Sequence, residues 1–115
     1  MSNWKYFSED ELKCKGTGEC NMDSEFMEKL VALREEYDSP MIITSGYRSE
    51  QHNTAIGGSS KSAHLYGCAV DVKVSGSDAH RLMGLAFEHG FSGIGVAQRG
   101  AHGSRFIHID TMTGS

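Results

Sequence analysis

Residues 68–74 carry the sequence CAVDVKV, in which apolar residues recur at every second position. Side chains at alternate positions differ in character, which is the period-2 pattern of a β-strand with two distinct faces. Cys68 and the valines are predicted to share one face and pack in a core, with Cys68 as a small core residue. Asp71 lies on the other face. A carboxylate in a half-buried strand needs a partner, so the partner of Asp71 becomes the central question.

Helix signals lie on both sides of this strand. Ser8 and Glu11 have the spacing of a capping box, so a short helix is expected to begin there. Asp23 or Ser24 can cap a longer helix, because apolar residues from 26 to 37 follow a 3.6-residue period. Ser77 is predicted to cap a helix that runs to residue 89. A short helix is also predicted at 49–56, and strands at 41–45, 68–74, 92–96 and 105–110.

The order of these elements predicts the fold class. Helices and strands do not alternate strictly, and short loops favour antiparallel neighbours. We therefore predict an α+β fold with a small antiparallel sheet and helices packed on one face. A chain of 115 residues suits one compact domain, predicted over 1–115.

Composition narrows the possible partners. The formal net charge is −4 and no basic stripe is visible, so we expect no nucleic-acid partner. No apolar run approaches the ~20 residues of a membrane span. Residues 1–12 lack a basic region followed by an apolar one, so we expect synthesis in the cytoplasm without a secretory signal. We also expect a monomer.

The three cysteines do not indicate a disulfide framework, because their number is odd and no secretory signal is evident. Cys14 and Cys20 lie in the glycine-containing segment CKGTGEC. A bridge, half of a metal site and plain loop cysteines all remain open for this pair. The last interpretation is favoured, because no second Cys/His pair has matching spacing.

A metal ion is the predicted partner of Asp71. His108 lies on the polar face of the last predicted strand, and Gly67 can turn the chain so that His64 returns over Asp71. Two imidazoles and one carboxylate form a common ligand set for catalytic zinc, which leaves a fourth position for water and favours hydrolysis of an acyl bond. The H-x6-D spacing alone is not specific, because histidines are often surface or core residues. The same ligands also accept cobalt, manganese or iron.

Six short motifs follow one another along the chain: SGYRS (45–49), HN (52–53), GG (57–58), SAHLYGCAVD (62–71), GIGV (93–96) and FIHID (106–110). Together they make the chain similar to the M15 zinc peptidases, a group that includes D-alanyl-D-alanine carboxypeptidases and phage endolysins, and in particular to its short single-domain branch. An S-x-H-x-x-G-x-A-x-D element is matched at every specified position, and the likeness covers residues from about 40 to 111. The resemblance implies one zinc ion bound by His64, Asp71 and His108, and an α+β fold shared with the Hedgehog signalling domain.

The resemblance also implies roles around the metal. Arg48 belongs to the S-G-Y-R turn, whose arginine helps to bind substrate in the family. A guanidinium can hold a terminal carboxylate or a peptide carbonyl through two parallel hydrogen bonds. A solvated turn arginine is the alternative. Ser45, Tyr47 and Ser62 are candidates to line the same cleft, or are turn and capping residues.

The sequence departs from the family where a general base is expected. Many members carry an acidic residue three positions before the last histidine, and this chain has Arg105 there, which cannot accept a proton. Another branch has histidine two positions before, where this chain has Phe106. His102 is the candidate base, because its ordinary pKa of ~6.5 suits the role. Asp110 either acts near the metal or holds a ligand imidazole in place. A site that uses only zinc and the arginine is a further alternative.

The function expected from the resemblance is zinc-dependent hydrolysis of peptide bonds in bacterial peptidoglycan. The chain would be a D-Ala-D-Ala carboxypeptidase or an L,D- or D,D-endopeptidase that acts on the stem peptide of the cell wall, as a phage or prophage endolysin. Two alternatives stay open. The missing acidic base favours a zinc-bearing wall-binding module without turnover, and a phage tail-associated protein that trims walls is the other.

Overall fold

The computed structural model describes residues 4–57, 63–97 and 105–111. Among the helices of these ranges, none has the length and hydrophobicity of a transmembrane span. The elements, in chain order, are α1 (Glu9–Leu12), α2 (Ser24–Tyr37), β1 (Ile42–Ser45), α3 (Glu50–Ala55), a 3₁₀ helix (Ala63–Tyr66), β2 (Ala69–Lys73), α4 (Gly76–Glu88), β3 (Gly93–Ala97) and β4 (Phe106–Asp110).

The strands form one antiparallel sheet in the order β1-β2-β4-β3. The stretch that contains Asp71 is therefore an inner strand, paired with β1 on one side and β4 on the other. In this register Asp71 lies opposite both Ser45 and His108. The sheet and its helices confirm the predicted α+β fold.

One face of the sheet forms the core. Val70, Val72, Ile107 and Ile109 are fully buried there and pack with apolar residues of α2 and α4. The prediction that alternate residues of these two strands face inward is therefore confirmed. The second face of β2 is also covered, because Ala69 and Asp71 are both buried. This enclosure places the Asp71 carboxylate in a partly desolvated environment.

Side-chain caps confirm two helix starts and correct a third. The Ser8 hydroxyl and the Glu11 side chain form the reciprocal bonds of a capping box. The Asp23 carboxylate accepts a hydrogen bond from the backbone N–H of Phe26 at the start of α2. The predicted cap at Ser77 is wrong, because α4 begins at Gly76 with Ser75 as its N-cap. Ser75 makes no side-chain capping bond, so a hydroxyl is a poor guide to this helix start.

All three cysteines are free thiols. Cys14 is fully buried, although its loop position predicted no core role. Burial raises the pKa of the Cys14 thiol, but hydrogen bonds with Ser49 and Thr17 outweigh burial and lower that pKa to about 6. Cys68 lies just before β2, is partly buried and packs at the edge of the core, so its predicted core role is confirmed only in part.

Gly67 fixes the approach of the 3₁₀ helix to β2. Its φ is +70°, in the left-handed region that favours glycine. A Cβ at this position would collide with the backbone of Asn21 and Met22. The carbonyl of Gly67 accepts a hydrogen bond from Asp23 N at 2.9 Å. The turn predicted at Gly67 thus docks the segment that carries His64 against the start of α2.

We expect Gly67→Ala to lower the free energy of unfolding by more than about 2 kcal/mol, since it combines a left-handed backbone with a backbone collision. Gly84→Ala is the matched control. Gly84 lies inside α4 and a Cβ there meets nothing within 4 Å, so this change should stabilise the chain by about 0.5–1 kcal/mol. Urea denaturation of both variants checks the prediction, which equal stability of the two would contradict.

Candidate metal centre

Three potential metal ligands converge on one side of the sheet. His64 comes from the 3₁₀ helix, Asp71 from β2 and His108 from the position opposite Asp71 on β4. One ligand atom from each residue lies within 4.8 Å of the other two. In the part of the chain that the structure describes, this is the group of histidine, cysteine and acidic side chains that could hold a metal ion. The structure therefore brings together the three residues predicted as ligands.

The distances within this group suit a small divalent ion. His64 Nε2 lies 3.4 Å from Asp71 Oδ1, and His108 Nδ1 lies 2.9 Å from the same oxygen. Two ligands of a tetrahedral zinc ion, with bonds of ~2.0–2.1 Å, lie about 3.3 Å apart. The donor set of two nitrogens and one oxygen is also one that zinc prefers. The three residues consequently fit zinc with little rearrangement.

Hydrogen bonds orient both imidazoles toward Asp71. His64 Nδ1 lies 2.7 Å from the carbonyl oxygen of Gly46 and donates to it, which leaves Nε2 facing Asp71. His108 Nε2 lies 2.7 Å from Asp110 Oδ2 and donates to that carboxylate, which leaves Nδ1 facing Asp71. Such outer partners hold ligand rings in place in metal sites. Of the two roles considered for Asp110, its geometry matches support of the His108 ring.

Two glycines on β3 make room for this arrangement. Gly93 lies opposite Asp110, and a Cβ at Gly93 would overlap the Asp110 carboxylate. Gly95 lies opposite His108, and a Cβ there would come within 3.4 Å of His108 Cβ. The Asp110 and His108 side chains thus lie in the space that side chains at these two positions of β3 would otherwise fill. The alternation of glycines in the motif GIGV was a sequence signal for this close packing against the last strand.

Asp71 and His108 each stabilise the charged form of the other. Burial by itself raises the pKa of the Asp71 carboxyl, but hydrogen bonds with His108 and His64 outweigh it and hold that pKa well below its ordinary value. The hydrogen bond with Asp71 raises the pKa of His108, burial opposes this, and the bond with Asp110 adds to the rise. Asp71 is therefore ionised at neutral pH, as a metal ligand must be.

Zinc affinity should fall as the pH is lowered below neutrality. A metal ion must displace the proton from His108 Nδ1, and the raised pKa of His108 means that this proton is retained to higher pH than on an ordinary histidine. Asp71 stays ionised and adds no proton competition. Affinity should be greatest above the raised pKa of His108 and fall about tenfold per pH unit below it for each proton displaced. Chelator-competition titrations from pH 8 to pH 5 measure this, and a constant affinity over that range would contradict it.

Arg48 lies at the edge of the metal centre. Its Nη2 is 3.9 Å from Asp71 Oδ2, and its Nη1 donates to Asn53 Oδ1 at 3.1 Å. The backbone N–H of Arg48 donates to the carbonyl of His64 at 3.0 Å. The S-G-Y-R turn and the 3₁₀ helix are therefore joined, which places the guanidinium beside the predicted ligands. A solvated turn arginine would lack these contacts.

Four further residues were predicted for the site, and the structure describes two of them. Ser45 lies opposite Asp71 in the sheet, and the Tyr47 N–H is bonded to the carbonyl of Leu12 at 2.8 Å. Both are close to Arg48 in the sequence, and their roles toward a substrate stay predictions. Ser62 and His102 lie outside the described residues.

Two features of the centre were not predicted. One is the Gly46 carbonyl that orients His64, and the other is Asn53, which contacts Arg48. A backbone acceptor leaves no trace in a sequence. Asn53 lies in the HN motif, but a polar residue in a short polar helix gives no sign of burial.

Comparison with known proteins agrees with this geometry. The sequence profile of the peptidase M15 family matches residues 5–110, and the chain therefore belongs to the peptidase M15 family. It is also 38% identical over 69 residues to the zinc D-Ala-D-Ala carboxypeptidase of Streptomyces albus G. The aligned segment covers 59% of this chain and 27% of that carboxypeptidase, so the likeness spans about a quarter of the relative's length.

Proposed function

We propose that this chain is a zinc-dependent peptidase that hydrolyses peptide bonds of bacterial peptidoglycan. The observation that carries the proposal is the convergence of His64, Asp71 and His108, with ligand atoms within 4.8 Å of one another. Membership of the M15 family and the similarity to a zinc D-Ala-D-Ala carboxypeptidase support the activity and the substrate.

His64 Nε2, Asp71 and His108 Nδ1 would hold the zinc ion, with Gly46 and Asp110 keeping the two rings oriented. When bound, zinc supplies Lewis acidity that polarises a peptide carbonyl and makes a water molecule more acidic. Arg48 lies beside Asp71 and offers a planar pair of N–H donors to a carboxylate or carbonyl of the substrate. The two glycines of β3 leave the Asp110 carboxylate and the His108 side chain the room that this arrangement needs.

The proposal is tested on purified cell walls of several chemotypes. We expect zinc-loaded protein to release new amino groups or soluble fragments, and we expect chelation to stop the release and added zinc to restore it. The Asp71→Asn variant, assayed without chelator, is the matched negative control. No zinc-dependent release from any wall type would refute the peptidase proposal.

The bond cleaved and the biological setting are finer proposals. We propose carboxypeptidase cleavage at D-Ala-D-Ala or endopeptidase cleavage of an L,D or D,D bond, which mass spectrometry of the released fragments distinguishes. The motif resemblance to the M15 group, which includes phage endolysins, supports a phage or prophage endolysin. Lysis of cells that produce the chain together with a holin, and not without one, is the expected result. A tail-associated wall-trimming protein would instead be found on purified phage particles.

A zinc-bearing wall-binding module without turnover is the second candidate. It is favoured by Arg105, which lies directly before β4 where many family members have an acidic base. Hydrolysis by the unmodified chain separates the two functions, because wall binding without hydrolysis supports the binding module. His102 is our candidate base in the peptidase, and loss of hydrolysis with retained wall binding in His102→Ala would support that role.

A further inference from the structure

Asn53 is a buried polar residue on a helix with little apolar character. It lies in α3, whose sequence is EQHNTA, and only 2% of its surface is exposed. Its Oδ1 accepts the hydrogen bond from Arg48 Nη1 at 3.1 Å. Burial of an amide is costly unless it is hydrogen-bonded, so this bond is part of what makes the position tolerable.

The helix that carries Asn53 is anchored to the N-terminal part of the fold. Ser49 caps α3, and its hydroxyl accepts the N–H of His52 at 3.1 Å. The Ser49 N–H donates to the buried Cys14 sulfur at 3.4 Å, and the Asn53 N–H donates to the Ser49 carbonyl at 2.9 Å. The backbone that carries the Asn53 side chain is therefore held by contacts that do not involve the Arg48 side chain.

Arg48 needs such a support. An arginine side chain has about 2 kcal/mol of rotamer entropy, so a guanidinium without partners samples many positions. The distance of 3.9 Å between Arg48 Nη2 and Asp71 Oδ2 is too long for a hydrogen bond and leaves that nitrogen oriented only loosely by charge. The shorter bond to Asn53 uses the other terminal nitrogen, so it fixes the guanidinium while Nη2 stays directed toward the metal centre.

We propose that Asn53 is a positioning residue that fixes the Arg48 guanidinium beside Asp71, so that Arg48 meets the substrate already oriented. The consequence for turnover rests on the proposed peptidase function, but the positioning itself does not. Asn53 acts through Arg48 and is not expected to touch the substrate.

The first test measures the mobility of Arg48 without using activity. In ¹⁵N-labelled zinc-loaded protein, the Nε–H resonance that disappears in Arg48→Lys identifies Arg48. Asn53→Ala should lower the order parameter of this group to about 0.6 or less, the range of flexible groups. Asn53→Asp keeps an acceptor oxygen and should restore most of the order. Thr54→Ala, an exposed neighbour on α3, is the control and should change nothing. An unchanged Arg48 order parameter in Asn53→Ala would overturn the proposal.

The second test is a double-mutant cycle on wall hydrolysis. Asn53→Ala should reduce kcat/KM about tenfold, as expected when a hydrogen bond to a charged group is lost, and should leave zinc content unchanged. In the Arg48→Ala background the same change should have no further effect. A merely structural role would lower activity equally in both backgrounds and would overturn the proposal. If the unmodified chain hydrolyses no wall, the peptidase proposal fails and the mobility measurement alone decides the role of Asn53.

Discussion

Asp71→Asn should remove zinc from the protein and abolish wall hydrolysis. Asp71 is the charged member of the ligand group, and both imidazoles direct a nitrogen at its Oδ1. Asparagine keeps the shape but loses the negative charge that offsets the charge of the ion. Loss of a hydrogen-bonding partner of a ligand usually costs about 10–100-fold in metal affinity, and loss of a ligand charge should cost more. Zinc content by mass spectrometry and affinity by chelator competition measure the effect.

Asp78→Asn is the matched control for this change. Asp78 is an exposed carboxylate on α4, 3.7 Å from Arg81, so the same chemical substitution there should leave zinc content and hydrolysis unchanged. Circular dichroism should show that both variants are folded, because asparagine is close in size to aspartate. Equal zinc content and equal hydrolysis in Asp71→Asn and the unmodified chain would contradict the assignment of Asp71 as a ligand.

The ligand group was predictable because its positions follow from local patterns. Alternation in β2 and β4 places Asp71 and His108 on the same kind of face, and antiparallel pairing brings them opposite each other. The S-x-H-x-x-G-x-A-x-D motif added His64, and Gly67 has the left-handed backbone that its turn requires. The assignment of the three residues as ligands, however, depended on the motif resemblance, because the H-x6-D spacing alone is not specific.

The parts that could not be predicted depend on long-range contacts. The 3₁₀ helix Ala63–Tyr66 has no periodicity of its own and is held by the backbone contact of Gly67 with the residues before α2. Burial of Asp71 arises because the 3₁₀ helix, β4 and Arg48 meet above β2, which no local pattern of β2 reveals. The helix α4 begins at Gly76, so Ser75 is its cap and Ser77 lies in its first turn. Because Ser75 makes no side-chain capping bond, no sequence signal distinguishes the two serines.

Arg48→Ala should leave zinc in place and reduce kcat/KM by about 100-fold or more. The guanidinium does not belong to the ligand group, and 3.9 Å separates it from Asp71, so zinc affinity should change by less than about tenfold. Two hydrogen bonds from a charged donor to substrate are each worth about 1.5–3 kcal/mol, and about 1.4 kcal/mol corresponds to a factor of ten in rate. Arg48→Lys keeps the charge but loses the planar pair of donors, so it should recover only part of the activity.

Arg34→Ala is the matched control for Arg48→Ala. Arg34 lies on α2 with its guanidinium 4.4 Å from the centre of the Tyr6 ring, so its loss should affect stability slightly and hydrolysis not at all. Kinetics on a soluble stem-peptide substrate, with zinc content measured on the same samples, separate the roles of ligand and substrate-binding residue. Zinc lost together with activity in Arg48→Ala would mean that Arg48 maintains the metal centre. Full activity with zinc bound would mean that the substrate is held by other groups of the cleft.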